Sequence, residues 1–156
     1  MRILKPIGWV LLIVLAGIQI IPTRSNFSTE VPSSDFIKTN KVNEDVGRIL
    51  LVSCYNCHSN NTIYPWYSRL QPIGWFLENH INNGKAELNF SEFGTYSIRK
   101  QKSKLKSMTD LIEKDEMPLP SYTLMHCDAR LSKENKKAIV DYLIELQDSL
   151  SGLNEK

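Results

Sequence analysis

The feature that most constrains this chain is the pentapeptide Cys54-Tyr55-Asn56-Cys57-His58, which has the form C-x-x-C-H. This spacing is the attachment signal for a c-type haem. Two thiols separated by two residues can add to the two vinyl groups of one macrocycle, and the adjacent imidazole is then available to the iron. The pattern predicts one covalent haem c, attached through Cys54 and Cys57, with His58 as the proximal iron ligand.

A Cys-x-x-Cys pair also occurs in redox dithiols and in zinc sites. A thioredoxin-type motif is expected beside a βαβ pattern, and this sequence shows no such pattern. A zinc site would need Cys54, Cys57, His126 and Cys127 as a Cys₃His set. Because His126 and Cys127 are sequence neighbours, their side chains do not readily converge on one tetrahedral centre. We therefore favour haem and keep a zinc-stabilised structural module as an alternative.

An uncharged segment, residues 7–21, follows the positive residues Arg2 and Lys5, and Pro22 ends it. Its length lies between the ~7–15 residues of a signal peptide's hydrophobic region and the ~17–25 residues of a membrane span. No small-x-small cleavage pattern follows it, so an uncleaved signal anchor over residues 1–22 is favoured over a cleaved signal. The positive-inside rule then places the rest of the chain on the periplasmic side of the bacterial cytoplasmic membrane. Cytochromes of the c type, as a class, acquire their haem on that side.

The amino-acid composition is that of an ordinary globular domain. Of the 156 residues, 42% are hydrophobic, and Arg2 and Lys5 account for the formal net charge of +2. This balance gives no reason to expect a nucleic acid partner. The basic run at residues 99–106 is interpreted as a solvated helix face, with a docking patch for an acidic partner or the membrane as the alternative. Three cysteines exclude a disulfide-dense scaffold. Cys127 is expected to be a buried or half-buried residue.

Residues 23–41 are polar and are interpreted as a tether to a haem-binding domain of residues 42–150, which a tail of residues 151–156 follows. Within the domain, apolar side chains recur at helical spacing and no strand pattern is found. The predicted helices are Glu44–Ser53 with Asn43 as cap, Pro72 to about Gly84, residues 97–114, and a last helix capped by Ser132. The predicted fold class is therefore all-α, with long loops packed around the cofactor.

The distal face of the iron can take a Met, a His, a water molecule or nothing. Met117 is the first candidate, because Pro118 disfavours helical conformation at Met117 and, together with Pro120, stiffens the loop that holds it. His126 is a less favoured ligand, and His80 shares an apolar helix face on which packing is the better expectation. An open distal site would make the protein a haem-based sensor or a binder of small ligands.

Aromatic residues are frequent in the segment after the motif. Buried Trp N–H and Tyr O–H groups need acceptors, and haem propionates are good acceptors. Trp66, Tyr67 and Trp75 are therefore interpreted either as core or as contacts with the haem edge. Arg69 and Arg130 are candidates for a charge-assisted bond to a propionate.

Together these residues resemble the family of bacterial haem-binding domains with one C-x-x-C-H, over roughly residues 45–145. The pieces that carry the resemblance follow the motif in a fixed order: Ser59-Asn60-Asn61-Thr62, Pro65-Trp66-Tyr67, Pro72-Ile73-Gly74-Trp75, His80, Gly84, Asn89-Phe90-Ser91, Glu116-Met117-Pro118, Tyr122, His126 and Ala129-Arg130-Leu131-Ser132. The resemblance implies a cytochrome c-like helical domain with one covalent haem. It also implies that Met117 occupies a position similar to the distal-ligand segment of cytochromes c.

We therefore expect a membrane-anchored monohaem c-type cytochrome that transfers single electrons in the periplasm. Its expected partners are a redox protein of unknown identity and the membrane, which the N-terminal segment would contact. No nucleophile–base pair or carboxylate dyad is evident in the sequence, so we do not expect an enzyme.

Overall fold

A computed structural model of the protein describes residues 4–152. Arg2 and the tail residues 153–156 lie outside the described residues, as does the side chain of Lys5. The described range contains eight α-helices: α1 (Leu4–Ile18), α2 (Phe36–Thr39), α3 (Glu44–Ser53), α4 (Tyr55–His58), α5 (Ile73–Glu87), α6 (Ile98–Glu113), α7 (Pro120–Met125) and α8 (Lys133–Gly152). Short 3₁₀ turns lie at Trp66–Arg69, Phe90–Thr95 and Cys127–Ala129. No strand forms between residues 4 and 152, which confirms the all-α class.

Side-chain caps define the starts of three of these helices, and two of the caps, Asn43 and Ser132, were predicted. The Asn43 side chain accepts a hydrogen bond from the Val46 amide at 2.9 Å and starts α3 at Glu44. Ser97 and Ser132 cap α6 and α8 in the same way. Each cap satisfies an amide that the helix itself leaves without a partner. Local sequence signals are therefore sufficient to fix these helix starts.

The core is formed where α6 and α8 pack together and α3 packs on α8. Its fully or almost fully buried side chains are Leu50 of α3, Leu105 and Ile112 of α6, and Ile139 and Leu143 of α8. They belong to the apolar stripes that helical spacing predicts. The core thus provides a rigid base against which the remaining, shorter elements pack.

Residues 23–41 differ from the predicted tether. Phe36 is fully buried, and its ring centroid lies 5.3 Å from that of Phe90 and 4.8 Å from that of Phe93. Burying one aromatic side chain contributes about 1.5–3 kcal/mol to the packing of this otherwise polar segment on the domain. The second half of the predicted tether is therefore part of the folded domain.

The predicted membrane helix corresponds to α1, which is 15 residues long. Its apolar side chains, among them Trp9 and Ile13, are exposed. Among residues 4–152, no helix combines the length and the apolar character that crossing a membrane would require.

Candidate cofactor site

A cavity of about 610 Å³ lies beside the pentapeptide, and Cys54, Cys57 and His58 form part of its wall. The rest of the wall comes mainly from α5, α6 and the segment between α6 and α7, and includes His80, Gly84, Leu88, Met108, Leu111, Met117, Leu119 and Tyr122. Its volume lies within the ~300–1,000 Å³ typical of cofactor and small-molecule pockets. The cavity is therefore large enough for a cofactor and adjoins the side chains that would attach it.

The motif lines the cavity because it folds into one helical turn. The Cys57 and His58 amides both donate to the Cys54 carbonyl, at 3.2 and 3.1 Å. Residues three and four apart lie on the same side of a helix. Cys57 and His58 are three and four residues after Cys54, so all three side chains face the same space.

The two motif thiols are free and half-buried. Burial, together with the neighbouring Cys57, raises the pKa of Cys54 to about 12, and burial raises the pKa of Cys57 as well. Both groups are therefore neutral thiols near pH 7.

His58 is oriented by a backbone carbonyl. Its Nδ1 lies 3.1 Å from the Leu88 carbonyl oxygen, and because a carbonyl only accepts, Nδ1 carries the donated proton. Nε2 is then the unprotonated nitrogen of the neutral ring. Burial lowers the pKa of His58, against the raising effect of the backbone groups at Leu88 and Gly84. A neutral imidazole held through its other nitrogen is the usual arrangement of a metal-ligating histidine.

Helix α5 packs directly on the motif at Gly84. A Cβ atom at this position would lie 2.8 Å from the Cys57 carbonyl oxygen and 3.4 Å from Cε1 of His58. The sequence prediction ended this helix at Gly84, whereas α5 continues to Glu87. Gly84 therefore allows α5 to approach the motif closely and does not end the helix. Glycine lowers local helix propensity by about 1 kcal/mol.

Met117 lies on the wall of the same cavity as His58. It is half-buried, and Pro118 and Leu119 line the cavity beside it. Residues 116–119 are not helical, as predicted, and α7 begins at Pro120. Met108, a core residue of α6, also lines the cavity, as does His80 from α5.

His126 is not among the residues that line the cavity. Its Nε2 lies 2.7 Å from the Tyr67 hydroxyl oxygen, and its ring stacks on that of Tyr122 with 4.3 Å between centroids. Trp66 is 76% exposed, and Trp75 lines a separate surface groove at the start of α5. The cavity is thus not lined by Trp66, Tyr67 or Trp75. Arg69 and Arg130 are exposed and do not line it either.

Several cavity residues were not predicted. The Tyr122 hydroxyl accepts a hydrogen bond from Nδ2 of Asn56 at 2.9 Å, so a spacer residue of the motif is joined to α7. Lys104 and Lys114 also line the cavity, and the Nζ of Lys104 lies 3.3 Å from a carboxylate oxygen of Glu87. Lys104 belongs to the basic run interpreted as a solvated face, yet its side chain is only 24% exposed. Asn56, in the spacer of the motif, carries no sequence signal for its bond to Tyr122. The basic run at residues 99–106, in contrast, could have indicated cations near the site.

The alternative zinc set is not assembled. Among the residues that the structure describes, no three His, Cys, Asp or Glu side chains are placed to hold a metal ion. The expectation that Cys127 is buried or half-buried is wrong, because Cys127 is exposed. It starts the turn Cys127–Ala129, in which Ala129 takes the buried position.

A family model described as a haem-binding domain matches residues 13–145, which cover most of the chain. The chain belongs to the haem-binding domain family. This confirms the resemblance and supports haem as the cofactor, and the cavity beside Cys54, Cys57 and His58 lies within the matched range. Comparisons with curated proteins and with solved structures found no match. The cytochrome c-like arrangement therefore stays a prediction.

Proposed function

We propose that this protein is a monohaem c-type cytochrome that carries single electrons. The observation that carries the proposal is the cavity on which Cys54, Cys57 and His58 converge, with His58 oriented by the Leu88 carbonyl. Haem, when bound there, supplies the one-electron couple of its iron. The chain's own residues attach the macrocycle, provide axial ligands and exclude water.

In this proposal Cys54 and Cys57 form the thioether links, and Nε2 of His58 is the proximal ligand. Met117 is the distal ligand, since it lies on the same cavity wall, and a thioether raises the reduction potential relative to a second imidazole. His80 is the remaining candidate on the wall. His126 is disfavoured, because its Nε2 is engaged with Tyr67 outside the cavity lining.

The cavity also contains cations suited to haem propionates. Lys104 and Lys114 line it, and the side chain of Lys104 is mostly buried. A charge-assisted hydrogen bond to a carboxylate is stronger than a neutral one, particularly where water is partly excluded. We propose these two lysines as propionate partners in place of Arg69 and Arg130.

We further propose that α1 attaches the protein to the periplasmic side of the bacterial cytoplasmic membrane. The exposed apolar side chains of α1, among them Trp9 and Ile13, support this, since such a surface is unfavourable in water. In that location the protein would exchange electrons with a redox partner and would not act as an enzyme itself. A cleaved signal is the alternative, and the mass of the exported protein distinguishes the two.

Covalent attachment is tested by the pyridine haemochrome spectrum of protein exported together with haem-maturation machinery. The wild type should retain haem after denaturation and extraction, whereas Cys54→Ala combined with Cys57→Ala should lose it. Cys127→Ala is the matched control, because this exposed thiol lies outside the cavity wall and its removal should leave haem content unchanged. A wild type without covalent haem would contradict the proposal.

Electron transfer and ligand sensing are distinguished by adding carbon monoxide to the reduced protein. A stable six-coordinate carrier should bind it slowly or not at all, because the distal ligand must first dissociate. Rapid binding would favour the haem-based sensor or small-ligand binder.

A further inference from the structure

The end of α1 is fixed to the start of α5 by hydrogen bonds. The Nε2 of Gln19 donates to the Gln71 carbonyl at 3.0 Å, and the Gln71 amide donates back to Oε1 of Gln19 at 2.9 Å. The Gln71 side chain also donates to the Ile21 carbonyl at 3.4 Å. Gln71 is buried and Gln19 is exposed, so water reaches these bonds from the side of Gln19 only.

The chain after α1 stays on the domain surface. The Arg24 amide donates to Oε1 of Glu78 on α5 at 3.2 Å. Two residues later, the Asn26 side chain donates to the Ser59 carbonyl and to the Thr62 hydroxyl, both at 2.8 Å. Residues 19–26 therefore form a fixed connection, and the direction of α1 is set relative to the domain.

Exposed apolar side chains surround the point at which α1 joins the domain. They are Ile20, Ile21, Leu70, Ile73 and Phe76, which we call the lipid-facing surface. Ile73 and Phe76 also line a surface groove of about 500 Å³ with Pro72 and Trp75. Exposed apolar patches of this kind mark sites of interaction with proteins or membranes.

We propose that the lipid-facing surface lies in the interfacial region of a bilayer beside α1. This inference rests on the proposed membrane attachment of α1. Continuity favours lipid, because the hydrogen-bonded connection at Gln19 and Gln71 keeps the surface next to a helix whose side chains are apolar and exposed. Trp75 in the groove suits the interface, and the exposed Arg24 and Arg69 can meet anionic head groups.

The same helix leads from this surface to the cofactor cavity. Phe76 is exposed, and His80, four residues later, lines the cavity; their ring centroids are 4.3 Å apart. Four residues correspond to about 6 Å along a helix axis. In this arrangement the cofactor lies at a fixed, short distance from the bilayer and is not carried on a flexible tether.

The test is photolabelling of the haem-loaded protein in liposomes of phosphatidylcholine and phosphatidylglycerol that contain a phosphatidylcholine with a photoreactive acyl chain. Lipid adducts are located by mass spectrometry of the peptides. We expect adducts on α1 and on the peptide with Ile73 and Phe76, the latter several-fold above α8. Adducts on α1 without adducts on α5 would overturn this inference and leave membrane attachment intact. That pattern is expected if the groove docks a protein. Absence of adducts on both would contradict membrane attachment as well.

A variant tests the fixed connection. Gln19→Ala removes the side chain that bonds both backbone groups of Gln71, so labelling at Ile73 and Phe76 should fall several-fold while labelling of α1 is retained. Gln147→Ala on α8 is the matched control and should change neither. The visible haem spectrum verifies that each variant keeps its cofactor site. Unchanged labelling of α5 in Gln19→Ala would show that the connection does not position this surface.

Discussion

The two sides of the cofactor cavity are positioned by different kinds of contact. On the side that we propose to be proximal to the iron, Cys54, Cys57 and His58 belong to one helical turn, against which α5 packs closely at Gly84. On the side that we propose to be distal, Met117 lies in a non-helical segment between two helices. A turn that is packed against a helix cannot move without moving that helix, so packing against α5 fixes the positions of Cys54, Cys57 and His58.

The distal segment, residues 116–119, is held by fewer bonds. The Glu116 and Met117 amides both donate to the Leu111 carbonyl at the end of α6, at 3.0 and 3.3 Å. Beyond the segment, Tyr122 of α7 is joined to the motif by the hydrogen bond from Asn56. Segments with few buried contacts open more readily than packed helices. Proximal changes should therefore affect the cofactor or the fold, and distal changes should affect ligation while the fold is retained.

The largest effect is expected from His58→Ala. The thioether links at Cys54 and Cys57 should keep haem attached, but the iron loses its proximal ligand and should become high-spin, as the visible spectrum would report. His126→Ala is the control, since His126 does not line the cavity and the spectrum should be unchanged. The assignment fails if His58→Ala keeps a low-spin spectrum and His126→Ala loses it.

A smaller effect is expected from Gly84→Ala, which tests the contact between α5 and the motif. The added Cβ would lie 2.8 Å from the Cys57 carbonyl oxygen, a backbone atom that cannot rotate away. The free energy of unfolding should fall by about 1–3 kcal/mol, as for other overpacked sites, and the yield of covalent haem should fall with it.

Gly47→Ala on α3 is the matched control for Gly84→Ala. A Cβ at Gly47 would meet only Cδ1 of Ile37, at 3.9 Å, which is an ordinary contact. Because alanine favours the helix over glycine, we expect a gain of about 0.5–1 kcal/mol in unfolding free energy. A gain at Gly84 equal to the gain at Gly47, measured by denaturant unfolding, would show that the close approach to the Cys57 carbonyl carries no cost.

These contacts show which parts of the molecule were predictable. The caps Asn43 and Ser132 act within three residues of themselves, so the sequence pattern was sufficient for them. Gly84 was misread as a helix end, because its partner, the Cys57 carbonyl, is far away in sequence. Phe36 was missed because a single aromatic in a polar segment has no periodicity.

In the candidate site, too, features with a local sequence signal were predicted and those that depend on distant residues were not. C-x-x-C-H was sufficient to predict that Cys54, Cys57 and His58 face one space, because the three side chains share a single helical turn. For Met117, the flanking prolines indicated a rigid loop, and the structure places it on the cavity wall; its ligation of iron stays a prediction. The bond between Asn56 and Tyr122 spans 66 positions and had no local signal.

Met117→Ala should change ligation and leave the fold intact. We expect loss of the sulfur-to-iron absorption band near the red end of the visible region, and faster binding of carbon monoxide. Met125→Ala is the control, because Met125 is exposed and does not line the cavity. A Met117→Ala protein with an unchanged low-spin spectrum would move the assignment to His80, the other candidate on the wall.

The smallest effect is expected from Tyr122→Phe, which removes the hydroxyl that joins α7 to the motif. Its loss leaves Nδ2 of Asn56 without this acceptor, which should cost about 0.5–1.5 kcal/mol of unfolding free energy. Tyr142→Phe removes a hydroxyl of similar role, bound to the Asn40 carbonyl far from the cavity, and should cost a similar amount. The two variants should differ in carbon monoxide binding, which is accelerated only by Tyr122→Phe if the bond to Asn56 holds the distal segment in place. Equal binding rates would mean that Tyr122 contributes to stability alone, and that residues 116–119 are positioned by their bonds to Leu111.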